Sequence, residues 1–308
     1  MNQFRRILLV SHAEPRELQA LRHALQLAAR NGARLDILIL YPTLPPDIQP
    51  YRESLEQGLK LRLTDAMTGL IPAGASPEIH LETVSTSIPS VEVIRRVLAE
   101  GYDLVVKEAD SGDTREAGLH ASDMELLRKC PCPVWLCRPF RHEPSSLKIG
   151  VAIDPVGEEP AAHGLSVRLL RLGGALASLY AVPLHVISCW DFPLENYLRH
   201  STWVSLPETE LTDLVVQTRS RHEHALERLI QEAGIDTPLE IHRMRGPAAK
   251  SIPHLVEAGC VDVLIMGTVA RTGIPGFVIG NTAEDILRKI DCSLLALKPE
   301  GFVSPVRL

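Results

Sequence analysis

A glycine-rich segment in the second half of the chain carries the clearest chemistry. Gly267, Gly273, Gly276 and Gly280 fall within fourteen residues, between a predicted strand and a predicted helix. Glycine allows positive φ and lets backbone N–H groups approach an anion closely, while a helix start offers unpaired donors and the positive end of a dipole. The segment therefore predicts a phosphate-binding loop.

The end of this loop should supply the phosphate donors. We expect the N–H groups of Asn281 and Thr282 to bind phosphate oxygens, with Gly280 in a positive-φ conformation before them. The side-chain amide of Asn281 can also donate to phosphate. A structural alternative is that Asn281 caps the last helix, with Glu284 three residues later completing a capping box.

Five further residues are candidates for contacts with the ribose, the base and the phosphates of a nucleotide. Asp154 ends a predicted strand, where its carboxylate can accept ribose hydroxyls or cap the following turn. Val186, near the end of the next strand, can lie against adenine or in the core, and the core is the favoured alternative. Arg271 can pair with a phosphate or remain solvated. Met266 and Gly267 end the strand before the loop and complete the candidate site.

Alternating strand and helix patterns position these residues. Strand patterns occur at 5–10, 34–40, 78–84, 102–107 and 133–137, and again at 147–153, 182–189, 238–244, 261–266 and 293–297. Helical patterns separate them at 15–31, 51–69, 88–100 and 122–129, then at 160–180, 208–233, 247–258 and 281–290. The pattern predicts two tandem α/β, Rossmann-like domains, each a five-stranded, mainly parallel sheet with helices on both faces. Ligands bind such sheets beyond the carboxyl ends of strands, where strand order reverses.

Repeated sequence supports the duplication. The segment Asp103-Leu104-Val105-Val106 corresponds to Asp262-Val263-Leu264-Ile265 in the second half. We therefore divide the chain into domains at 1–142 and 147–308, joined by a polar linker that contains Pro144.

The two domains are expected to pair within the chain about a pseudo-twofold axis. Their last strands, 133–137 and 293–297, should lie near the shared interface of two separate sheets. The polar linker should be exposed, so that limited proteolysis would cut first between Arg141 and Ser146.

The glycine-rich loop resembles that of the universal stress protein family, whose ATP-binding members carry G-x2-G-x9-G-[ST] between the fourth strand and the last helix. Gly267 and Gly280 occupy the first and third glycine positions, whereas Ala270 and Asn281 replace the second glycine and the Ser or Thr. The run Gly-Asn-Thr-Ala-Glu from Gly280 resembles the two-domain E-type branch. The resemblance extends over nearly the whole chain.

The resemblance implies a stress-response protein that binds ATP or a related adenine nucleotide, alone or with magnesium, in its C-terminal domain. Asp154 matches an acid that nucleotide-binding members place near the base and ribose. The implied role is signalling or protection without catalysis. The resemblance also implies pairing of the two domains within the chain and leaves a homodimer open. Two alternatives stay open: an interaction module acting through its surfaces or a small apolar ligand, and a slow ATPase.

The first domain lacks the features of this site. His12 stands at the position of Asp154, His120 stands at that of Gly280, and the acidic segment 107–113 replaces the start of the glycine-rich loop. Three acids there would repel a triphosphate. We therefore expect at most one nucleotide per chain.

Composition excludes other classes of partner. A net charge of −6 and a pI near 6.1 provide no basic field for nucleic acid or anionic lipid. No apolar run reaches the length of about 20 residues that crosses a membrane, and the N-terminal apolar run is interpreted as a strand, not a targeting signal. These features favour a cytoplasmic protein without membrane or nucleic-acid partners.

The remaining reactive residues are assigned structural roles. The six cysteines are expected to pack as small apolar side chains, without a metal site. His222 and His224 should lie on a solvated helix surface, unless His242 or His200 completes a metal site with them. The aromatic segment 190–204 is expected to fold onto its own domain, with a hydrophobic mouth over the site or an interface as alternatives.

Overall fold

The structure, a computed structural model, describes residues 4–15, 17–71, 77–110, 119–157, 159–200, 206–268 and 279–307. Its strands are β1 (Arg6–Ser11), β2 (Arg34–Tyr41), β3 (Ile79–Ser85), β4 (Leu104–Glu108), β5 (Val134–Cys137), β6 (Ile149–Ile153), β7 (Leu184–Trp190), β8 (Leu239–Arg245), β9 (Val263–Gly267) and β10 (Ser293–Leu297). Its α-helices are α1 (Leu18–Asn31), α2 (Arg52–Met67), α3 (Pro89–Glu100), α4 (Ala121–Lys129), α5 (Pro160–Tyr180), α6 (Glu195–His200), α7 (Glu208–Ala233), α8 (Ala248–Glu257) and α9 (Asn281–Leu287). Short 3-10 helices span Gln49–Tyr51 and Pro144–Ser146.

The strands form one sheet in the order β3-β2-β1-β4-β5-β10-β9-β6-β7-β8. Pairing is parallel within each half, and β5 and β10 pair antiparallel across the centre, with Trp135 opposite Leu295. The prediction of two tandem five-stranded α/β units is confirmed, and their last strands do meet at the interface. The expectation of two separate sheets is wrong, because the two inner edges satisfy their backbone N–H and C=O groups with each other.

The duplication is visible in individual hydrogen bonds. The Asp103 carboxylate accepts the backbone N–H groups of Arg5 and Arg6 at the start of β1, at 2.7 and 3.1 Å. The Asp262 carboxylate accepts the N–H of Lys148 before β6 at 2.9 Å. Each aspartate thus ties the first strand of its domain to the beginning of the fourth.

The core has two layers, one on each face of the sheet. One layer packs α1, α2, α5 and α7 against the sheet, and the other packs α3, α4, α8 and α9 against the opposite face. Both layers run through both halves of the chain, so the two domains share a continuous hydrophobic interior. Burial of this kind is the main favourable contribution to folding.

The linker is exposed, as its composition predicts, but it is held at its beginning. Asp262 accepts the backbone N–H of Arg141 at 3.0 Å and contacts the His142 ring at 2.9 Å. The Arg141 guanidinium donates to the Val256 carbonyl at 2.6 Å and to Asp291 at 2.5 Å. Preferential proteolysis of this segment stays a prediction, and these bonds oppose it by restraining the backbone.

A histidine is buried where the two domains meet. His23 of α1 stacks on Trp135 of β5, with ring centroids 4.9 Å apart and planes inclined by 12°. The Tyr180 hydroxyl of α5 lies 2.6 Å from His23 Nδ1 and thereby joins the two domains. Burial, assisted by the charge of Arg22, lowers the pKa of His23 to about 4.

Replacing His23 should make the free energy of unfolding less dependent on pH below neutrality. The unfolded chain takes up the His23 proton near pH 6.5 and the folded chain only near pH 4, so stability present above pH 6.5 is lost as the pH falls through this range. We expect the wild type to lose about 2–3 kcal/mol more than His23→Gln between these pH values in urea unfolding. Leu18→Ala, at an exposed position of the same helix, provides the control, because it removes no titratable group and should keep the wild-type slope. Parallel profiles for wild type and His23→Gln would contradict the assignment.

Candidate functional site

The carboxyl ends of β6 and β9 lie side by side in the second domain. Ala152 is opposite Met266 in their parallel register, so Asp154 and Thr268 follow directly at the same edge of the sheet. The strand order reverses between β6 and β9, since the chain continues to β7 on one side and to β10 on the other. This is the crevice in which open α/β sheets bind ligands.

The two ends of the glycine-rich loop are held together by backbone bonds. The N–H of Gly280 donates to the Thr268 carbonyl at 3.0 Å, and the N–H of Thr268 donates to that of Leu297 at 3.1 Å. Ile279 is buried beside them. The loop between, with Ala270 and Arg271, lies outside the described residues. The described ends therefore place the loop between β9 and α9, as its sequence position predicts.

Gly267 is required by packing. A Cβ built on it would lie 2.8 Å from Leu165 Cδ2 on α5, closer than side-chain carbons approach one another. The glycine therefore lets the first turns of α5 sit against the end of β9. This role differs from direct phosphate binding, which was the sequence-based assignment.

Gly280 corrects two sequence-based expectations. Its φ and ψ are −61° and 143°, so the predicted positive φ is wrong. Gly280 itself is the N-cap of α9, which makes Asn281 the first helical residue and excludes the capping alternative for its side chain. The extended conformation is normal for an N-cap. Glu284, the other member of the supposed capping box, instead contacts Arg128 and Arg288 at 3.0 and 2.8 Å.

Asp154 is exposed at the mouth of the crevice. Its Oδ1 accepts the N–H of Val156 at 3.0 Å, as expected for a residue that caps the following turn. Val186 is instead fully buried in mid-strand opposite Val151, and Met266 is 95% buried in the other core layer. The placement of Val186 near the end of its strand was wrong. Both side chains belong to the walls beneath the crevice.

The structure adds two polar residues that the sequence did not assign to this site. Ser188 of β7 is opposite Ile153, and its hydroxyl lies 2.9 Å from Nε2 of His222. Only 3% of His222 is exposed, so its assignment to a solvated surface is wrong. Its spacing from Ala225, Leu226 and Leu229 places it on the apolar stripe of α7, a signal that was present in the sequence.

Burial disfavours a positive charge on the Ser188–His222 pair. It lowers the pKa of His222 against the opposing charge of Glu223. The pair adds a hydrogen-bonded polar group below the crevice.

The corresponding crevice of the first domain is filled by its own side chains. Glu108 stands at the position of Gly267, and its carboxylate accepts the N–H of Ala20 at the start of α1 at 2.9 Å. Lys107 pairs with Asp110 and, at 2.9 Å, with the fully buried Asp123. A ligand would have to displace these contacts.

The acids of this domain are not the free charges that the sequence predicted. Burial raises the pKa of Glu108 to about 7, so half of its charge is lost near neutrality. Against a burial penalty, the Lys107 ammonium holds the pKa of Asp110 below its ordinary value. Asp113 lies outside the described residues. His12, at the position equivalent to Asp154, faces the Leu40 carbonyl at 3.1 Å.

The aromatic segment after β7 is partly helical. Its helix α6 was not predicted, and Arg245 at the end of β8 holds it by contacting Glu195 and by lying 5.4 Å from the centroid of the Trp190 ring. This agrees with the expectation that the segment folds onto its own domain. Trp203 lies outside the described residues.

Comparison with known proteins identifies the family. The sequence profile described as the universal stress protein family matches residues 3–138 and 147–298. The chain belongs to this family. It is 29% identical to universal stress protein E of Escherichia coli K12, over 100% of this chain and 98% of that protein. Universal stress protein E of Photorhabdus laumondii is 26% identical over 100% of this chain and 99% of its own length.

Solved structures show the same architecture. A protein of unknown function from Pseudomonas aeruginosa PAO1 superposes with a TM-score of 0.69 and 26% identity, covering 97% of this chain and 94% of its own. A universal stress protein from Archaeoglobus fulgidus gives a TM-score of 0.63 at 17% identity, covering 95% and 98% of the two chains. The described helices include none with the length and hydropathy of a membrane span.

The contact of Gly267 with α5 can be tested by stability. Gly267→Ala should destabilise the protein by about 1–3 kcal/mol, because the added methyl group overlaps Leu165. Gly164→Ala is the matched control: its Cβ meets nothing within 4 Å, and it should be neutral or stabilising by up to about 1 kcal/mol. In urea unfolding, adding Leu165→Ala should cost less in the Gly267→Ala background than in the wild type. Additive costs would contradict the proposed overlap.

Proposed function

We propose that this universal stress protein binds one adenine nucleotide, ATP or a close relative, in its C-terminal domain and acts through that binding in a stress response. The observation that carries the proposal is the difference between two equivalent crevices. In the first domain Glu108 and the Lys107–Asp123 pair occupy the crevice, whereas in the second a glycine stands at the position of Glu108.

The residues at the second crevice fit a phosphate and a ribose. The start of α9 directs backbone donors and a helix dipole toward the crevice, so the N–H groups of Asn281 and Thr282 are the proposed phosphate donors. Thr268 Oγ1 is buried without a hydrogen-bond partner among the described residues, which suits a hydroxyl that bonds a ligand. The exposed Asp154 carboxylate is proposed to accept ribose hydroxyls.

Other sequence-based candidates keep narrower roles in the proposal. Ala270 and Arg271 remain proposed contacts of the phosphates on the strength of their loop positions alone. Gly267 acts by keeping α5 close to the strand end, and Val186 and Met266 support the crevice wall from the core. Magnesium would be held chiefly by phosphate oxygens and water, as it usually is in nucleotide sites.

The altered loop favours one second candidate, an interaction module without nucleotide. Ala270 adds a methyl group where the family pattern has glycine, and Asn281 replaces the family's Ser or Thr. Such a protein would act through its surfaces or through a small apolar ligand. Nucleotide titration separates the two candidates.

Calorimetric titration with ATP, ADP and AMP, with and without magnesium, tests the proposal. We expect one site per chain. Asp154→Ala should weaken binding by about 1–2 kcal/mol through the loss of two ribose bonds. His12→Ala, at the equivalent position of the first domain, should leave the affinity unchanged. Two equivalent sites per chain would contradict the assignment to one domain.

Restoring the family pattern is the sharper test. Ala270→Gly combined with Asn281→Ser should tighten ATP binding, because it removes a methyl group and restores a hydroxyl donor. Gly280→Val should weaken binding through bulk beside the α9 N–H groups. The backbone at −61° and 143° is open to residues other than glycine, and circular dichroism would verify that the fold persists around this buried position. If neither the native chain nor the restored variant binds nucleotide, the nucleotide-binding proposal is wrong and the interaction module replaces it.

A further inference from the structure

Three metal-ligating side chains converge at the opposite end of β7 and β8. His185 is the second residue of β7, and the parallel register places it opposite Glu240, the second residue of β8. His242 follows two residues later and therefore points to the same face of the sheet. Because β7 and β8 are parallel, this cluster lies at the amino ends of the strands, away from the nucleotide crevice at their carboxyl ends.

The distances within the cluster suit one small cation. His185 Nδ1 lies 3.0 Å from Nε2 of His242 and 3.4 Å from the Glu240 carboxylate. All three ligand atoms lie within 4.8 Å of one another. Tetrahedral zinc with bonds of about 2.0–2.1 Å brings neighbouring ligand atoms to about 3.3–3.4 Å. A bound ion would therefore replace the hydrogen bond between the two imidazoles and draw the more distant ligand atoms together by up to about 1.5 Å.

The surroundings allow a cation to enter. The cluster lines a cavity of about 350 Å³ together with Lys148 and Cys260. His185 is 91% buried, whereas the Glu240 side chain is 55% exposed, so one ligand is fixed by packing and another faces solvent. Lys148, the cation beside the cluster, donates to the Gly259 carbonyl at 3.0 Å. The two imidazole rings are stacked, with centroids 5.3 Å apart.

The equivalent cluster in the first domain forms ion pairs and hydrogen bonds among its own side chains. There Asp36 is opposite His80, and Glu82 takes the place of His242. Asp36 accepts Arg34 at 2.9 Å and the Tyr102 hydroxyl at 2.8 Å, and both Glu82 oxygens accept Arg96 at 2.7 Å.

The second domain has a different donor set at the same place. Glu240 contacts His185 there, in contrast to the arginine partners of the acids in the first domain. Two imidazoles and a carboxylate form a ligand set typical of zinc.

We propose that His185, Glu240 and His242 bind one divalent zinc-class ion, with a fourth position open to water in the cavity. The ion would link the edge strand β8 to β7 through side chains as well as through backbone bonds. The proposal is independent of the nucleotide, because its ligands lie at the other end of the strands.

Titration of the full chain with Zn²⁺ and with Co²⁺ tests this site. We expect one ion per chain, a cobalt spectrum of four-coordinate type without a thiolate band, and a higher midpoint of thermal unfolding with Zn²⁺. His242→Ala and Glu240→Gln should each weaken Zn²⁺ binding at least tenfold and abolish the thermal shift. The partly exposed His242 and Glu240 lie on an edge strand, so these variants should keep the fold, as circular dichroism would verify.

Matched controls separate this site from other donors. His80→Ala, at the position of Glu240 in the first domain, should leave Zn²⁺ affinity unchanged, as should Cys132→Ser, which removes one thiol of the Cys130–Cys132 pair. Unchanged zinc affinity in His242→Ala would overturn the proposal. The alternative result is that Cys260→Ser loses as much Zn²⁺ affinity as His242→Ala, with a thiolate band in the cobalt spectrum of the wild type. That result would show that Cys260 is the fourth ligand, and it would overturn the proposal that this position is open to water.

Discussion

The antiparallel pairing of β5 with β10 is the constraint on which the rest of the structure depends. It merges two sheets and two pairs of core layers, with Trp135 fully buried at the seam. The Ser293 hydroxyl bridges the N–H and carbonyl of Arg138 at 2.8 and 3.0 Å. The Lys298 ammonium crosses the seam to the carbonyls of Leu127 and Cys130, at 2.7 and 2.6 Å. Burial lowers the pKa of Lys298 to about 8, and the carbonyls at the end of α4 offset part of that penalty.

The two crevices beside this seam have the same backbone arrangement, and they differ in a few side chains. Thr268 and Ala109 each donate an N–H across to the last strand of their domain, so the two fourth strands end alike. The two strand ends then differ in one side chain. In the first domain the Glu108 carboxylate accepts an N–H at the start of α1, whereas in the second domain Gly267 presents no carboxylate to the start of α5. Covalent linkage permits this difference, because a substitution in one half is not repeated in its partner, as it would be in a symmetric dimer.

Sequence periodicity predicted the ten strands to within about two residues and eight of the nine α-helices, counted over the residues that the structure describes. It succeeded because apolar spacing is a local property. The continuous sheet escaped prediction because a short apolar run such as Val134–Cys137 has the same pattern whether its outer edge is free or paired.

The site was predictable to a similar extent. The crevice followed from strand order and the loop from its glycines, whereas the extended φ of Gly280 depends on how the loop ends are hydrogen-bonded. The cluster of His185, Glu240 and His242 depends on the register of two strands separated by a long helix, which one sequence does not reveal. His222 differs from these cases, because its spacing from the buried apolar residues of α7 is a local property that the sequence already contains.

The joined sheet has a further consequence for association between chains. Two separate five-stranded sheets would expose four outer strands, whereas the described sheet ends only at β3 and β8. Both carry charged side chains, Glu82 on β3 and Arg243 and Arg245 on β8. Charges on such strands oppose the addition of another strand. Strand-by-strand polymerisation is therefore disfavoured, and any contact between copies of this protein is left to surfaces other than the two outer strands.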